Sequence, residues 1–287
     1  MLRHAEQMRP LSPGDLPAIT RLLRTSDYVY QRFTLEELKY LLRSYPAVGL
    51  WHGNSLHSFL LSQTLNPPSA WIGGFGVNWS ESRSALRFLD LQMELLVGHL
   101  LAREIHFLHY SGNDQENDWL RGPLLERGFT PFRLLYAYDK LGHTIPAPGN
   151  PQVVLRRAEQ RDIPELLTLE ALCFEQLWRY DSASFADMML THPYFMVAQL
   201  HDRVVGYQFN ALDGVYGYLV RIAVHPACAG QGIGVRLMAE AMRFFQRAHV
   251  TRIMLNTQQE NTRAHRLYER FGFTRLGQIG FILHRPL

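Results

Sequence analysis

Apolar residues recur at helical spacing at Val235, Met238, Met242 and Phe245, which predicts an amphipathic helix from Val235 to about Ala248. Further on, Ala264, Leu267, Tyr268 and Phe271 line one face of another helix, with Asn261 as its N-cap and Gly272 suited to end it. Upstream the pattern changes. Tyr194–Leu200, Arg203–Leu212 and Gly217–Pro226 are β-rich runs, the first two separated by a hairpin signal at His201-Asp202. Arg252–Thr257 predicts another strand, and Phe273–Arg285 a short closing hairpin. Before all of these, Asp162 N-caps a helical run, and a second helix over Ser184–Thr191 stops before Pro193. The order β-α-α-β-β-β-α-β-α-β-β describes a mixed α/β unit of about 135 residues.

The first half echoes the second. Asp15-Leu16-Pro17 falls on Asp162-Ile163-Pro164 at an offset of 147, and the same offset lays Tyr45-Pro46 on His192-Pro193. Leu124–Phe132 ("LLERGFTPF") echoes Tyr268–Leu276 ("YERFGFTRL"). Self-similarity at half the chain length implies duplication, each half a complete unit. Between them Gly142–Pro151 holds three prolines and two glycines and reads as a linker. The expected domains are residues 1–145 and 151–287.

Composition narrows the function classes. The 287 residues are 47% hydrophobic and 19% charged, with a net charge of +3 and no block of like charge. That leaves no electrostatic footprint for nucleic acid or a membrane surface. Cys173 and Cys228 stand far apart without metal-ligand spacing, so a reducing, cytoplasmic setting and no metal are expected. The opening residues lack the apolar core of a signal peptide, and the most apolar window, Phe88–Leu101, is broken by Asp90, Glu94 and His99.

Chemistry enters at "HPACAGQGIGVRLM" (His225–Met238), which places Gly230, Gly232 and Gly234 between a strand and a helix start. First-turn amides lack internal partners and the helix dipole favours anions there, while glycines let a phosphate approach the backbone. A tight turn alone needs one glycine. A Walker loop is ruled out because Val235-Arg236, not Lys-Ser/Thr, follows Gly234. The Gly-x-Gly-x-Gly spacing after several antiparallel-type strands also differs from a dinucleotide fingerprint.

"VHPACAGQGIGVRLM" followed by "NTQQENTRAHRLYERFGF" resembles the paired motifs of the GNAT acyltransferases, which use acetyl-CoA. The second motif matches fully at Asn261, Ala264, Leu267, Tyr268, Gly272 and Phe273; the first departs at Ala229, where the family has Arg or Gln. The resemblance covers Gln152 to the C-terminus. It implies that the amides of Gly230, Gln231, Gly232, Ile233, Gly234 and Val235 hold the pyrophosphate and that Ile222, Ala223 and Val224 pair with the pantetheine arm. It also implies that Asn261 lies nearby, as N-cap, ligand contact or both. Tyr268 becomes the proton donor to the leaving thiolate, the alternative being a core aromatic. Acetyl transfer to a primary amine, on a small molecule or a peptide N-terminus, is the implied reaction, through a direct ternary complex. A non-catalytic acyl-CoA-binding or sensor protein is the alternative.

Other assignments stay open. Where family members carry a basic glutamate, this chain has Tyr218 and Asn256, which leaves Glu175, Asp181, His192, His225 or a water relay as base. Trp178, Tyr180 and Asp181 in Phe174–Phe185 either contact the acceptor or plug and cap the fold. In the first half Val77 falls on Val224, the glycine loop falls on Arg83–Arg87 without a glycine, and the tyrosine position falls on Leu124 or Leu125. Gly73–Gly76 reads as a bulged strand. The fold expected is therefore two tandem GNAT-like domains, the first degenerate and without a cofactor, as a monomeric pseudo-dimer or a homodimer.

Overall fold

In a computed structural model the described residues are 6–192 and 194–287, without the side chains at 64–66 and 278–279. Pro193, where the second helix was expected to stop, and the residues before Glu6 lie outside that description. The chain forms two compact units that do not follow a single cut. One comprises residues up to Gly112, Asn117–Phe132 and Ile282–Leu287; the other comprises Asn113–Glu116 and Arg133–Phe281.

The first unit contains β1 (Glu6–Pro10), α1 (Leu16–Thr25), β2 (Val29–Gln31), α2 (Leu35–Ser44), β3 (Ala47–His52), β4 (Ser55–Asn66), β5 (Ser69–Val77), α3 (Ala85–Leu101), β6 (Phe107–Gly112), α4 (Arg121–Glu126) and the start of β7 (Thr130–Leu141). Its strands run β1-β3-β4-β5-β6, with β2 on β5. The glycine run falls on β5 as the sequence predicts: Leu61 faces Gly74 and Ser62 faces Ile72, which leaves Gly73 as the extra residue of a bulge.

The second unit adds β8 (Val154–Arg157), α5 (Ile163–Cys173), α6 (Ser182–Thr191), β9 (Tyr194–Leu200), β10 (Arg203–Leu212), β11 (Tyr216–Val224), α7 (Ile233–Arg247), β12 (Arg252–Gln258), α8 (Thr262–Arg270) and β13 (Thr274–Pro286). Here the order is β8-β9-β10-β11-β12-β7-β13. One face of this sheet packs on α5 and α6 through Leu166, Leu169, Phe185, Tyr207 and Phe209. The other carries α7 and α8 through Met238, Met242, Phe245 and Phe271. Alternation along β10 explains the sandwich, since successive side chains enter opposite layers.

The duplication is visible strand by strand. Arg9 forks onto Asp15 at 2.6 and 3.1 Å, and Arg156 forks onto Asp162 at 2.6 and 2.7 Å, again 147 positions on. Each carboxylate also accepts a backbone N–H that opens the following turn, from Ser12 and from Glu159. Both parallel pairs, β5 with β6 and β11 with β12, are only three residues long.

Two expectations need correction. The closing segment is one continuous strand rather than a hairpin; Gly277 lacks the positive φ that a primed hairpin turn would use. Gly142–Pro151 is no free tether. The Gly142 amide donates to Thr251, Ile145 packs in the α7–α8 core, and Asn150 is bonded to the glycine loop.

Candidate active site

β11 and β12 pair only from Tyr216 to Tyr218 and from Arg252 to Met254. A bulge at Val220 follows, where Phe209 faces Arg221 and Asn210 faces Leu219. Beyond it β11 runs on to Val224, and its β12 side meets no strand among the described residues. The two strands part and leave a cleft of about 810 Å³. Its walls include Ile222, Ala223, Val224, Gly230, Gly232, Ile233, Gly234, Val235, Asn261 and Tyr268. Of the residues expected to hold acetyl-CoA or to give the proton, only Gln231 does not line it. The Gln231 carbonyl turns away and accepts from Asn150 Nδ2 at 2.9 Å.

The glycines serve different ends. Gly230 and Gly232 have φ of +81° and +75°, which a side chain would strain, and Gly232 is the left-handed residue from which α7 starts. Gly234 has ordinary backbone, but a Cβ there would point at Leu267 and Val224, across the cleft mouth. The α7 N-terminus therefore opens its first-turn amides toward the cleft. Gly149, from the presumed linker, has φ of +83° and would place a Cβ 2.3 Å from the Arg236 amide nitrogen. Together with Asn150, whose amide donates to Gly232 at 3.2 Å, it straps the loop in place.

On the facing side, Asn261 accepts from the Ala264 amide at 3.2 Å and so caps α8. Arg263, Arg266 and Arg270 follow along the helix and reach the cleft. Among the described residues none of the three takes part in an ion pair. Tyr268 is 5% exposed, packed against Tyr138 and Phe273, and burial raises its phenol above the ordinary value, with the Tyr138 phenol adding to the shift. It is thus a core aromatic and a cleft residue together, held in the protonated form.

Behind the cleft wall lies a feature the sequence reading missed. Arg221 donates to both Glu170 oxygens at 2.7 and 3.0 Å and to the Trp178 carbonyl at 2.8 Å. It also lies 4.0 Å from the Tyr180 ring and 4.2 Å from the Phe174 ring. Tyr207 donates to the same carboxylate, and burial raises its phenol well above the ordinary value. The signal was there: Glu170 inside the apolar stretch Leu166–Cys173 and Arg221 inside the apolar run of β11. This network fixes Leu172, Cys173 and Phe174 as a cleft wall. The Cys173 thiol donates to the Val224 carbonyl at 3.3 Å and is pushed up to about 11, by burial first and by the Glu170 charge second.

The other candidates have structural duties. Asp181 caps α6 through the Ser184 amide at 2.7 Å, His225 accepts from the Ala227 amide at 3.1 Å, and Glu175 pairs with Arg133 at 3.0 Å. Tyr218 donates to Asp213, and Tyr180 is the plug over Arg221. His192 lies edge-on to Phe209, and burial lowers its pKa.

The profile of the acetyltransferase (GNAT) family matches residues 161–273, which contain most of the cleft wall. An uncharacterised N-acetyltransferase of Methanocaldococcus jannaschii is 28% identical over 123 residues, 42% of this chain and 78% of that protein. A mycothiol acetyltransferase of Renibacterium salmoninarum is 26% identical over 159 residues, 50% of this chain and 47% of that protein, so the chain spans about half of that relative. Among solved structures, a tandem GNAT protein from the clavulanic acid biosynthesis pathway superposes with a TM-score of 0.67 at 12% identity, covering 98% of each chain. Residues 161–273 thus match the GNAT acetyltransferase family, and over its whole length the chain has the tandem GNAT fold. It is an acyltransferase of that type. Among the described residues no helix is long and apolar enough to cross a membrane.

Proposed function

We propose that the second unit binds acetyl-CoA in the cleft between β11 and β12 and passes its acetyl group directly to a primary amine. The observation that carries this reading is the unpaired edge of β11 at Ile222–Val224, with the glycine loop beyond its end and Tyr268 facing it. An extended amide chain such as pantetheine can add to that edge as a strand would. The amides of 230–235 fit its pyrophosphate, since Gly230, Gly232 and Gly234 put no Cβ in the way. Arg263, Arg266 and Arg270 supply compensating charge, which also makes up for Ala229.

When bound, acetyl-CoA supplies an activated thioester. The chain's own residues then have three tasks. The α7 N-terminus and the edge of β11 orient the acyl group. Tyr268, protonated throughout the physiological range, donates a hydrogen bond and then the proton that the departing sulfur needs. The amine must arrive neutral, because its lone pair forms the new C–N bond. Its surplus proton returns to Tyr268 through solvent, so the sum is amide plus thiol.

Direct transfer is supported by Cys173. This thiol lines the cleft, but with its pKa near 11 it is a poor acyl carrier at neutral pH. Glu175, Asp181 and His225 are committed elsewhere, which favours a water relay as base. The acceptor is a small-molecule amine or a peptide N-terminus. The first half holds no cofactor in this reading: Trp79–Ser84 has no glycine, and fully buried Leu124 stands near the tyrosine position. Two free cysteines suit a cytoplasmic protein.

Calorimetric titration with acetyl-CoA tests the reading, repeated with Gly232→Trp. One equivalent, lost in the variant, is expected. Two equivalents would overturn the silent first half, and none would overturn the acetyltransferase reading. Binding without transfer across an amine screen would leave an acyl-CoA sensor.

A further inference from the structure

The two units differ at four matched positions beside the β3–β4 hairpin. In the first unit His52 faces Ser55, Trp51 faces Leu56 and Leu50 faces Ser58, so His57 is the extra residue of a bulge. In the second unit Leu200 faces Arg203, Val204 faces Gln199 and Gly206 faces Ala198, with Val205 as the extra residue. His52 and His57 thus occupy the places of Leu200 and Val205. Glu6 faces His52; its match Val153 lies one residue before the Val154–Gln199 pair and packs in one cluster with Leu200. Glu81 lies four residues beyond Val77, as Cys228 lies four beyond Val224; Val77 and Val224 are themselves matched through Ser58 and Gly206.

In the second unit Val153, Leu200, Val205 and Cys228 form one apolar cluster with Ile233 and Leu237. The first unit has exchanged all four for imidazoles and carboxylates. Polar replacement of a half-buried cluster costs stability unless the new groups find partners. Here they come close without hydrogen-bonding. His52 Nε2 lies 3.3 Å from Glu6 and His57 Nδ1 lies 3.4 Å from Glu81, yet both nitrogens are buried with no hydrogen-bond partner. One potential ligand atom from each of His52, His57 and Glu81 lies within 4.8 Å of the other two.

We propose that His52, His57 and Glu81 form a divalent transition-metal site of the zinc class in the first unit, with Glu6 as fourth ligand. Metal–ligand bonds of about 2.0–2.1 Å give a tetrahedron with edges of roughly 3.3–3.4 Å, the spacing of both nitrogen–carboxylate pairs. Two imidazoles with carboxylates suit zinc or a neighbouring metal better than magnesium or calcium. Arg87 grips Glu6 through both oxygens, with Nη1 at 2.9 Å, and orients it as an outer-shell partner does. The ion would staple β1, the hairpin and the turn before α3. The sequence predicted no metal, because Cys173 and Cys228 lack metal-ligand spacing; these ligands are spread from Glu6 to Glu81.

Chelator-treated full-length protein is titrated with ZnCl2 by calorimetry, and with CoCl2 by visible absorption. One equivalent and the intense bands of tetrahedral Co2+ are expected. His57→Val, which installs the second unit's residue, should weaken binding at least about tenfold and abolish the bands. Glu81→Gln, nearly isosteric, should do the same if His57→Val fails to fold. Absence of saturable Zn2+ binding, or unchanged affinity in a folded His57→Val or Glu81→Gln protein, would overturn the site.

Discussion

The Arg221 guanidinium meets the Glu170 carboxylate at 2.7 Å, and the glutamate is 1% exposed. This pair joins α5 to β11 directly beneath the cleft, so it couples the fold of the second unit to the shape of its site. A buried pair that loses one member leaves a charge without a partner, which costs about 3–5 kcal/mol. Glu170→Leu should destabilise the protein by that order in urea unfolding. Adding Arg221→Met should recover much of the loss, because the lone charge is gone.

Tyr268→Phe keeps the ring that packs against Tyr138 and Phe273 and removes only the proton donor. We expect kcat to fall about 10²- to 10⁴-fold with little change in KM for acetyl-CoA. Because burial raises the phenol, the wild-type rate should show no descending limb from Tyr268 up to its ordinary value of 10. Steady-state kinetics against pH measures both.

Gly149 lies far from the motifs, yet a methyl group there would collide with the backbone of Arg236. Gly149→Ala must displace either the strap or the first turn of α7. Acetyl-CoA affinity should fall at least about tenfold, an effect worth roughly 1.4 kcal/mol. Calorimetry reads it, and Gly98→Ala, in open space on α3, is the control.

Cys173→Ser should leave turnover within about threefold of wild type if acetyl passes directly to the amine. An acyl-enzyme route through this thiol would instead lose essentially all activity. Intact-mass spectrometry after mixing with acetyl-CoA should likewise show no adduct at Cys173.

Asp162 sits under the fork of Arg156 and accepts from the Glu159 amide; these contacts hold its carboxyl below the ordinary 3.8 against the opposing cost of burial. Asp15 is held low in the same way by Arg9. A depressed carboxyl contributes stability above its unfolded pKa and loses it as pH falls through the folded value. The melting temperature should therefore drop as pH is lowered from about 4 toward 2. Asp162→Asn should lower it at neutral pH and make that acid slope shallower.

Much of the site was legible because local rules encode it. Helical spacing placed α7 and α8, a cap signal placed Asn261, and left-handed glycines marked the turn before α7. The bulge at Gly73 was readable for the same reason: glycine in a strand interior disturbs the ladder wherever it occurs. The repeat at 147 also lay in the sequence, and it resurfaced as twin Arg–Asp forks.

What the sequence determined by itself was the set of elements, their duplication and the motif that lines the cleft, all carried by residues a few positions apart. Tertiary structure decided the rest. It assigned Arg133–Leu141 to the second unit and Ile282–Leu287 to the first, turned the presumed linker into a strap, joined Glu170 to Arg221 and gathered His52, His57 and Glu81, with Glu6 beside His52. Each of these depends on strand register and helix packing between distant segments. Spacing along the chain cannot specify such partners, because any strand edge offers the same N–H and C=O groups until the whole sheet has chosen its order.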